Sequence, residues 1–238
     1  MKKAIIVGAS SGIGRELAKI LSENGYIVGL AARRKELLVQ LKEELPNNSF
    51  IKRIDVCNTE EAIQAVQDLI NEMGQVDLIV INAGYGLINP KLDLIQEIKT
   101  IDVNVIGFTA MANVAFKYFK KMGIGHIVGI SSLAAIRGAS GSPAYNASKA
   151  YISNYLQGLR QKASQQGLPI LITDIKPGFV DTPMAQGSGL FWVAPVPKAA
   201  EQIYKAIAAK KTHAYITKRW RIIAWIFKII PDWVYHKL

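Results

Sequence analysis

Cysteine is almost absent from this chain of 238 residues. Cys57 is the only one, so no disulfide can form within the chain, and a reducing compartment such as the cytoplasm is expected. Long apolar runs are missing too, since no stretch reaches the roughly 18 uninterrupted apolar residues of a membrane-spanning helix. The run from Ala4 to Val7 is too short for the centre of a signal peptide, so we predict a first strand there.

Histidine is scarce, and the spacing of the histidines does not fit a metal site. The three histidines, His126, His213 and His236, do not have metal-ligand spacing, so we predict no metal site. His126, which precedes a predicted strand, is expected to be a surface residue or a hydrogen-bonded one.

Charge is limited and unevenly placed. Half of the residues are apolar and 20% are charged, which favours a folded core over disorder. The net charge is +11, and the segment from Lys205 to the end has eight Lys or Arg against one acid, Asp232. Because this excess lies in an aromatic and isoleucine-rich tail, it favours a membrane surface and not nucleic acid as partner.

Short aliphatic runs alternate with amphipathic stretches along most of the chain. The runs are KAIIVG, YIVGLAA, SFIKRIDV, VDLIVINAG, GHIVGISS and PILITDIKPG. The predicted helices are 12–24, 34–45, 59–73, 97–121, 144–166 and 197–210. This alternation predicts an α/β fold: a single-domain, doubly wound parallel sheet of Rossmann-like type with helices on both faces. We assign residues 1–213 to this domain and 214–238 to a basic amphipathic C-terminal tail helix.

A glycine-rich turn follows the first predicted strand. Gly8, Gly12 and Gly14 form a GxxxGxG pattern that also contains Ser10, Ser11 and Ile13. Backbone amides at the start of the following helix can face a pyrophosphate, while glycine permits the tight turn. Many such turns use glycine for geometry alone, but the strand before it and the helix after it favour dinucleotide binding.

The second strand ends without an acidic residue. A carboxylate at this place would hold the adenosine ribose hydroxyls of NAD, but the chain has Ala32 followed by Arg33 and Arg34. A guanidinium matches a 2′-phosphate, which a carboxylate would repel. We therefore predict NADP as the cofactor.

Tyr145 and Lys149 are four residues apart in a predicted helix, so they face the same way. A nearby ammonium group stabilises a phenolate, so we expect the pKa of Tyr145 to lie below the usual value of about 10. The alternative for an isolated YxxxK pattern is two side chains on a solvated helix face.

Taken together and in order, these motifs resemble the short-chain dehydrogenase/reductase family from Lys2 to about Lys210, with Val7 where the family often has threonine. The resemblance implies that the catalytic residues are Asn104, Ser132, Tyr145 and Lys149. It also implies further cofactor contacts at Asp55, Val56, Asn82, Ala83, Gly84, Tyr145, Lys149, Pro177, Gly178, Val180 and Thr182, and a homo-oligomer, either dimer or tetramer.

The resemblance also implies a mechanism. Tyr145 would give a proton to a substrate carbonyl as hydride arrives from the nicotinamide, and Ser132 would hydrogen-bond the substrate oxygen. Lys149 would hold the nicotinamide ribose, and Asn104 would support a water that relays protons to it. The rival class is a nucleotide-binding regulator that has lost catalysis, but such a relative should have lost Tyr145 or Lys149, and both are present.

The segment PMAQGSGLFWVAPVP follows Thr182. Glycines around Ser188 suggest a mobile lid. Phe191, Trp192 and Val193 either line an apolar pocket or pack against the body of the domain. This composition favours a hydrophobic alcohol or ketone as substrate.

The tail has a wide apolar arc on a helical wheel, with Arg221 and Lys228 on the other side. The arc contains Trp220, Ile222, Ile223, Ile226, Phe227, Ile229 and Ile230. The segment 222–230 spans only about 13 Å, so it can lie on a membrane but cannot cross one. We predict peripheral attachment at the inner face of a membrane; packing on a partner subunit or over the substrate pocket are the alternatives.

Overall fold

The computed structural model of the chain describes residues 1–185 and 191–236. In these ranges the strands are β1 (Lys3–Val7), β2 (Ile27–Ala32), β3 (Ser49–Arg53), β4 (Leu78–Ile81), β5 (Gly125–Ile130), β6 (Ile170–Pro177) and β7 (His213–Ile216). The helices are α1 (Gly12–Glu23), α2 (Lys35–Glu44), α3 (Thr59–Met73), α4 (Leu94–Ile101), α5 (Phe108–Met122), α6 (Pro143–Gln165), α7 (Val196–Ala208), α8 (Trp220–Ile229) and α9 (Asp232–Tyr235). The alternation of strands and helices confirms the predicted fold class.

The strands form one parallel sheet in the order β3-β2-β1-β4-β5-β6-β7. The order reverses between β1 and β4, and such a reversal opens a crevice beyond the carboxyl ends of the strands. The seventh strand was missed by the sequence analysis because HAYI is only four residues long and begins with an exposed histidine. Its Ala214 pairs with Ile175 of β6, so the proposed division after residue 213 falls within β7.

Apolar side chains are buried on both faces of the sheet. On one face α3, α5 and α6 contribute residues such as Leu69, Phe119 and Leu156. On the other face α1, α2 and α7 contribute Leu17, Leu38 and Ile203. Strands covered on both sides need continuous apolar sequence, which explains the uninterrupted aliphatic runs.

The predicted helix 97–121 is divided in the structure. It comprises α4, a π-helical segment Asp102–Gly107 and α5. Asp93 starts α4 by accepting a hydrogen bond from the Ile95 amide at 2.9 Å. A π-helical segment is rare and only about one turn long, so the helical periodicity of the sequence did not predict it.

The tail forms two short helices instead of one. Ile230 has extended backbone angles and precedes Pro231, which disfavours a helical conformation at the preceding residue. Trp220 is buried at the start of α8, whereas Ile222, Trp225 and Ile229 are more than half exposed. No helix in residues 1–185 and 191–236 is long and apolar enough to cross a membrane.

Candidate active site

A cavity of about 1170 Å³ opens at the carboxyl ends of the strands. Loops after β1 to β6 line it, and the tail contributes its other wall. The structure places in its lining Gly8, Ser10, Ser11, Gly12, Ile13, Arg33, Arg34, Asp55, Val56, Asn82, Ala83, Gly84, Ser132, Tyr145, Lys149, Pro177, Gly178, Val180 and Thr182. Of the site residues that we predicted from the sequence, Gly14 and Asn104 are the two that do not line the cavity.

At Gly8 and Gly14 the glycine loop lies too close to other backbone atoms for a side chain. Gly8 has a φ of 96°, and a Cβ on it would lie 2.5 Å from the backbone nitrogen of Ala83. A Cβ on Gly14 would lie 2.1 Å from the carbonyl oxygen of Gly8, so Gly14 supports the loop from behind. Asn82 joins the loop to β4 by donating a hydrogen bond from Nδ2 to the Gly8 carbonyl at 2.8 Å.

The start of α1 can receive an anion. Ser11 is the N-cap residue, but its side chain makes no capping hydrogen bond within the described chain. The first amides of a helix have no partner in the helix itself, and the helix dipole favours negative charge there. The start of α1 is therefore suited to a cofactor pyrophosphate.

Two arginines lie beside this helix start. Arg34 donates hydrogen bonds from Nη2 to the hydroxyls of Ser10 at 3.0 Å and Ser11 at 2.8 Å. Arg33 is exposed and lines the same cavity. Guanidinium and hydroxyl groups are donors that suit a phosphate, so these residues fit the 2′-phosphate of NADP.

Tyr145 and Lys149 lie one turn apart near the start of α6. The Nζ of Lys149 lies 5.7 Å from the centroid of the Tyr145 ring and donates a hydrogen bond to the Ile130 carbonyl at 3.1 Å. Burial lowers the pKa of Lys149 to about 8, while the charge of Asp174 opposes this change. Lys149 is therefore charged at neutral pH but can lose its proton just above it.

The pKa of Tyr145 moves in the opposite direction to our expectation. Burial raises this pKa above its ordinary value of 10, and a hydrogen bond from the Ser132 hydroxyl lowers it by less. Lys149 lies beside the ring and does not offset the burial. The Tyr145 hydroxyl is therefore protonated at neutral pH, which is the form that a proton donor requires.

Ser132 is held by the turn that follows β5. Its Oγ accepts a hydrogen bond from the Ala134 amide at 3.1 Å and donates to the Pro177 carbonyl at 3.4 Å. Because it also hydrogen-bonds Tyr145, the two hydroxyls lie side by side in the cavity. A carbonyl oxygen placed between them can accept from Tyr145, and also from Ser132 once the single Ser132 proton turns away from the Pro177 carbonyl.

Asn104 is fully buried in the π-helical segment. Its Nδ2 donates to the Tyr85 carbonyl at 2.7 Å and to the Ser148 hydroxyl at 2.9 Å, and its Oδ1 accepts from the Tyr85 amide at 2.8 Å. A Cβ on Gly84 would lie 3.3 Å from Nζ of Lys149 and 3.5 Å from this Oδ1. Asn104 therefore fixes the segment after β4 directly behind Lys149.

Gly86 belongs to the site and was missed by the sequence analysis. A Cβ on it would lie 2.4 Å from the Tyr145 ring, so only glycine allows the ring to occupy this position. The available signal was its spacing from Gly84, since a second glycine two residues on suggests close approach of the backbone to another group.

A buried charge network lies behind Lys149. Asp174 is fully buried and forms an ion pair with Lys176, while Ser131 and Ser153 donate hydrogen bonds to its carboxylate. Burial raises the pKa of Asp174, but interactions with His213, Lys176 and Ser131, among them the Lys176 charge, outweigh burial and hold it well below its usual range. The carboxylate is therefore charged and favours the protonated form of Lys149.

The aromatic residues after the proposed lid remain partly exposed and pack against Phe179 and the tail residue Trp220. The ring centroids of Phe191 and Trp192 lie 5.1 Å and 5.6 Å from that of Trp220, and neither residue lines the cavity in the described part of the chain. This arrangement favours the packing alternative over the pocket alternative. The glycines around Ser188 lie outside the described residues.

The tail forms one wall of the cavity. Trp220, Phe227 and Tyr235 line it together with Phe179. The Tyr235 hydroxyl donates to the Gly138 carbonyl at 2.7 Å. Asp232 forms an ion pair of 3.0 Å with Arg137, which lies in the loop after Ser132. The inner face of the tail therefore covers the pocket, which was one of the alternatives for this segment.

The sheet order and this cavity define a dinucleotide-binding α/β protein, and comparison identifies its family. The short chain dehydrogenase family matches residues 2–190. An uncharacterized oxidoreductase of Myxococcus xanthus is 36% identical over 184 residues, covering 75% of this chain and 72% of that protein. One of Staphylococcus epidermidis is 31% identical over 189 residues, covering 79% and 81%. The chain therefore belongs to the short-chain dehydrogenase family, whose members are oxidoreductases that use NAD or NADP.

Solved structures support the fold assignment. Levodione reductase superposes with a TM-score of 0.82 at 21% identity, covering 91% of this chain and 96% of that one. ElxO with NADP bound gives a TM-score of 0.75 at 24% identity, covering 86% and 90%. At these identities the likeness establishes the shared architecture.

Proposed function

We propose that the protein is an NADP(H)-dependent oxidoreductase that interconverts a carbonyl and an alcohol on a hydrophobic small molecule. The observation that carries this proposal is the pairing of the Tyr145 and Ser132 hydroxyls in the same cavity as Lys149 and the glycine loop. A regulator that only binds nucleotide has no need for two hydroxyls beside a buried lysine.

Each residue of the site has a definite task in carbonyl reduction. The cofactor supplies the hydride. Tyr145 donates its proton to the carbonyl oxygen, and the Ser132 hydroxyl donates a hydrogen bond to the same oxygen as negative charge develops there. Lys149 restores the proton on Tyr145, and Asn104 is a positioning residue behind it.

The preference for NADP rests on the arginines. Arg34 is already bonded to the two serines of the glycine loop, and Arg33 is exposed and can turn towards a 2′-phosphate. Among the structural neighbours, ElxO is described with NADP, but a ketoacyl reductase of Brucella melitensis is described with NADH. The family fold accepts both cofactors, so the argument for NADP comes from this chain's own residues.

The choice of a hydrophobic substrate rests on the walls of the cavity. Phe179, Trp220 and Phe227 face the end that contains Ser132, and Met184 and Ile88 add to the apolar surface. Burial of apolar substrate surface against these side chains supplies binding energy at about 25 cal/mol per Å². A sugar would leave its hydroxyls unpaired against them.

A substrate screen tests the proposal. Ketones, aldehydes and alcohols of increasing apolar size are added to the protein with NADPH or NADP, and the change in NADPH absorbance is followed. We expect turnover of apolar ketones and alcohols and weaker turnover with NADH. Tight NADPH binding with no turnover of any carbonyl or alcohol would instead support the non-catalytic regulator.

The proposal includes assembly and location. Helix α4 exposes Leu94, Ile95 and Ile98, and a second copy of the chain would cover them in a dimer or tetramer. We place the protein in the cytoplasm, at the inner face of a membrane, with residues 214–238 as the attachment segment of the catalytic domain 1–213.

A further inference from the structure

Helix α8 has two apolar faces that point in opposite directions. Trp220 and Phe227 lie on the inner face and line the cavity. Ile222, Trp225 and Ile229 recur at helical spacing on the other side, and each is 58–63% exposed. We call these three residues the outer face. Only the inner face takes part in closing the pocket, so the fold of a single chain does not account for the outer one.

The outer face has a basic border. Arg221 and Lys228 are seven residues apart, which places them along one edge of the helix, and both are exposed. Lys218 and Arg219 precede the helix and are also exposed. The acid of this segment, Asp232, is paired with Arg137 of the domain. The border therefore has a clear excess of positive charge.

Helix α4 exposes a second apolar surface with the opposite charge. Its Leu94, Ile95 and Ile98 lie near three acids, Asp93, Glu97 and Asp102, and two cations, Lys91 and Lys99, so this surface is slightly acidic. An acidic border is repelled by anionic lipid, whereas a basic border is attracted to it. The two surfaces therefore suit different partners.

We propose that the outer face of α8 docks on an anionic lipid surface. Tryptophan and isoleucine beside Lys and Arg are typical of helices that lie in the membrane interface. A symmetric contact between two copies of this face would bring like charges together, which disfavours a second copy as the occupant. The basic border and the exposed tryptophan thus favour lipid.

This docking would also define the substrate class, a step that rests on the proposed function. The helix that contacts lipid with its outer face contributes a wall of the cavity through Trp220 and Phe227. The cavity would then lie just above the lipid surface. We infer that the substrate is an alcohol or ketone apolar enough to partition into lipid.

Vesicle co-sedimentation of the full chain tests the docking. The vesicles contain phosphatidylcholine alone or with about 30% phosphatidylserine. The outer-face variant is Trp225→Glu with Ile229→Glu, and the matched control is Val39→Glu with Ile124→Glu, two exposed apolar residues outside α4 and α8. We expect the wild-type chain and this control to bind the acidic vesicles, and the outer-face variant to bind at least about tenfold more weakly.

Two outcomes would overturn the proposal. One is equal binding of the wild-type chain and the outer-face variant to acidic vesicles. The other is a wild-type chain that ignores them, with light scattering showing that the outer-face variant loses oligomeric mass; this result would assign the face to a second copy.

The proposed function is read out separately in the same samples. NADPH binding and turnover of a water-soluble ketone should be unchanged in the outer-face variant, because neither residue lines the cavity. Vesicle binding without any turnover would contradict the oxidoreductase proposal and leave the docking supported. Turnover without vesicle binding would support the oxidoreductase proposal and contradict the docking.

Discussion

At the scale of single residues, we propose that the arginine after β2 sets the preference between the two nicotinamide cofactors. Arg33 stands where a carboxylate would hold the ribose hydroxyls of NAD, and it faces the cavity beside Ser10 and Arg34. The contact that it can make with a 2′-phosphate is a charge-assisted hydrogen bond, which is worth about 1.5–3 kcal/mol. We therefore expect cofactor choice to depend on this side chain.

Replacing Arg33 by Asp should weaken or invert the preference for NADPH. The new carboxylate would repel the 2′-phosphate and accept hydrogen bonds from the ribose hydroxyls instead. Dissociation constants of NADPH and NADH, measured by fluorescence titration for both proteins, give the change. If the wild-type protein bound the two cofactors equally, the role of Arg33 would be refuted.

Lys149 gives the reaction a pH dependence. Its pKa is lowered to about 8 by burial, so the charged form is present below pH 8 and lost above it. The pKa of Tyr145 is raised, so that hydroxyl keeps its proton over the same range. We expect kcat/KM for carbonyl reduction to fall as the pH rises through about 8, measured from pH 6 to about 9.5.

Lys149 also affects the stability of the fold, and its contribution to stability rises with pH where its expected effect on the reaction falls. The unfolded chain keeps Lys149 charged up to its ordinary pKa of 10.5, so between pH 8 and 10.5 the unfolded state binds more protons. The free-energy cost of burying the Lys149 charge is present below pH 8 and is relieved as the pH rises.

A kcat/KM for carbonyl reduction that stays constant across pH 8 would contradict the role that we assign to Lys149.

At the scale of elements, one close contact packs the start of the tail against the domain. A Cβ on Gly178 would lie 2.2 Å from Nε1 of Trp220, so the indole packs directly on the backbone after β6. The Trp220 ring also meets Phe179 edge-on at 5.4 Å. The tail is thereby joined to the loop that we assign to the nicotinamide side of the cofactor.

The substitution Gly178→Ala should loosen the tail and destabilise the protein by about 1–3 kcal/mol, because the added methyl group must displace Trp220. Gly158→Ala in α6 is the matched control, since a Cβ there has no neighbour within 4 Å and alanine favours the helix. Urea unfolding measures both. A Gly178→Ala protein as stable as the control would refute the seating of the tail on this glycine.

The elements that the sequence analysis predicted are those with a local signal. The aliphatic runs, the glycine loop and the Tyr145–Lys149 spacing depend on residues close in sequence, and the structure brings nearly all of them to one cavity. The two faces of α8 depend on what the helix packs against, which a helical wheel cannot show. The raised pKa of Tyr145 likewise comes from burial by distant segments, among them Gly86.

At the scale of the whole molecule, the sheet and the tail cooperate in one site. The sheet order gathers the residues that we assign to the cofactor at the carboxyl ends of the strands, and the tail contributes one wall of the same cavity. The family match ends at residue 190, so the tail that contributes this wall lies beyond it. We therefore expect substrate choice to depend on the tail and the chemistry to depend on Tyr145.

The most direct test of the account is the substitution Tyr145→Phe, studied for turnover and for NADPH binding in the same preparation. Loss of the hydroxyl removes the proton donor, and general acid catalysis contributes about 10²–10⁴ in rate. We predict a fall in kcat of at least about a hundredfold on a substrate identified by the screen, with the dissociation constant of NADPH essentially unchanged. A variant that keeps near-wild-type turnover would contradict the central claim that Tyr145 is the proton donor.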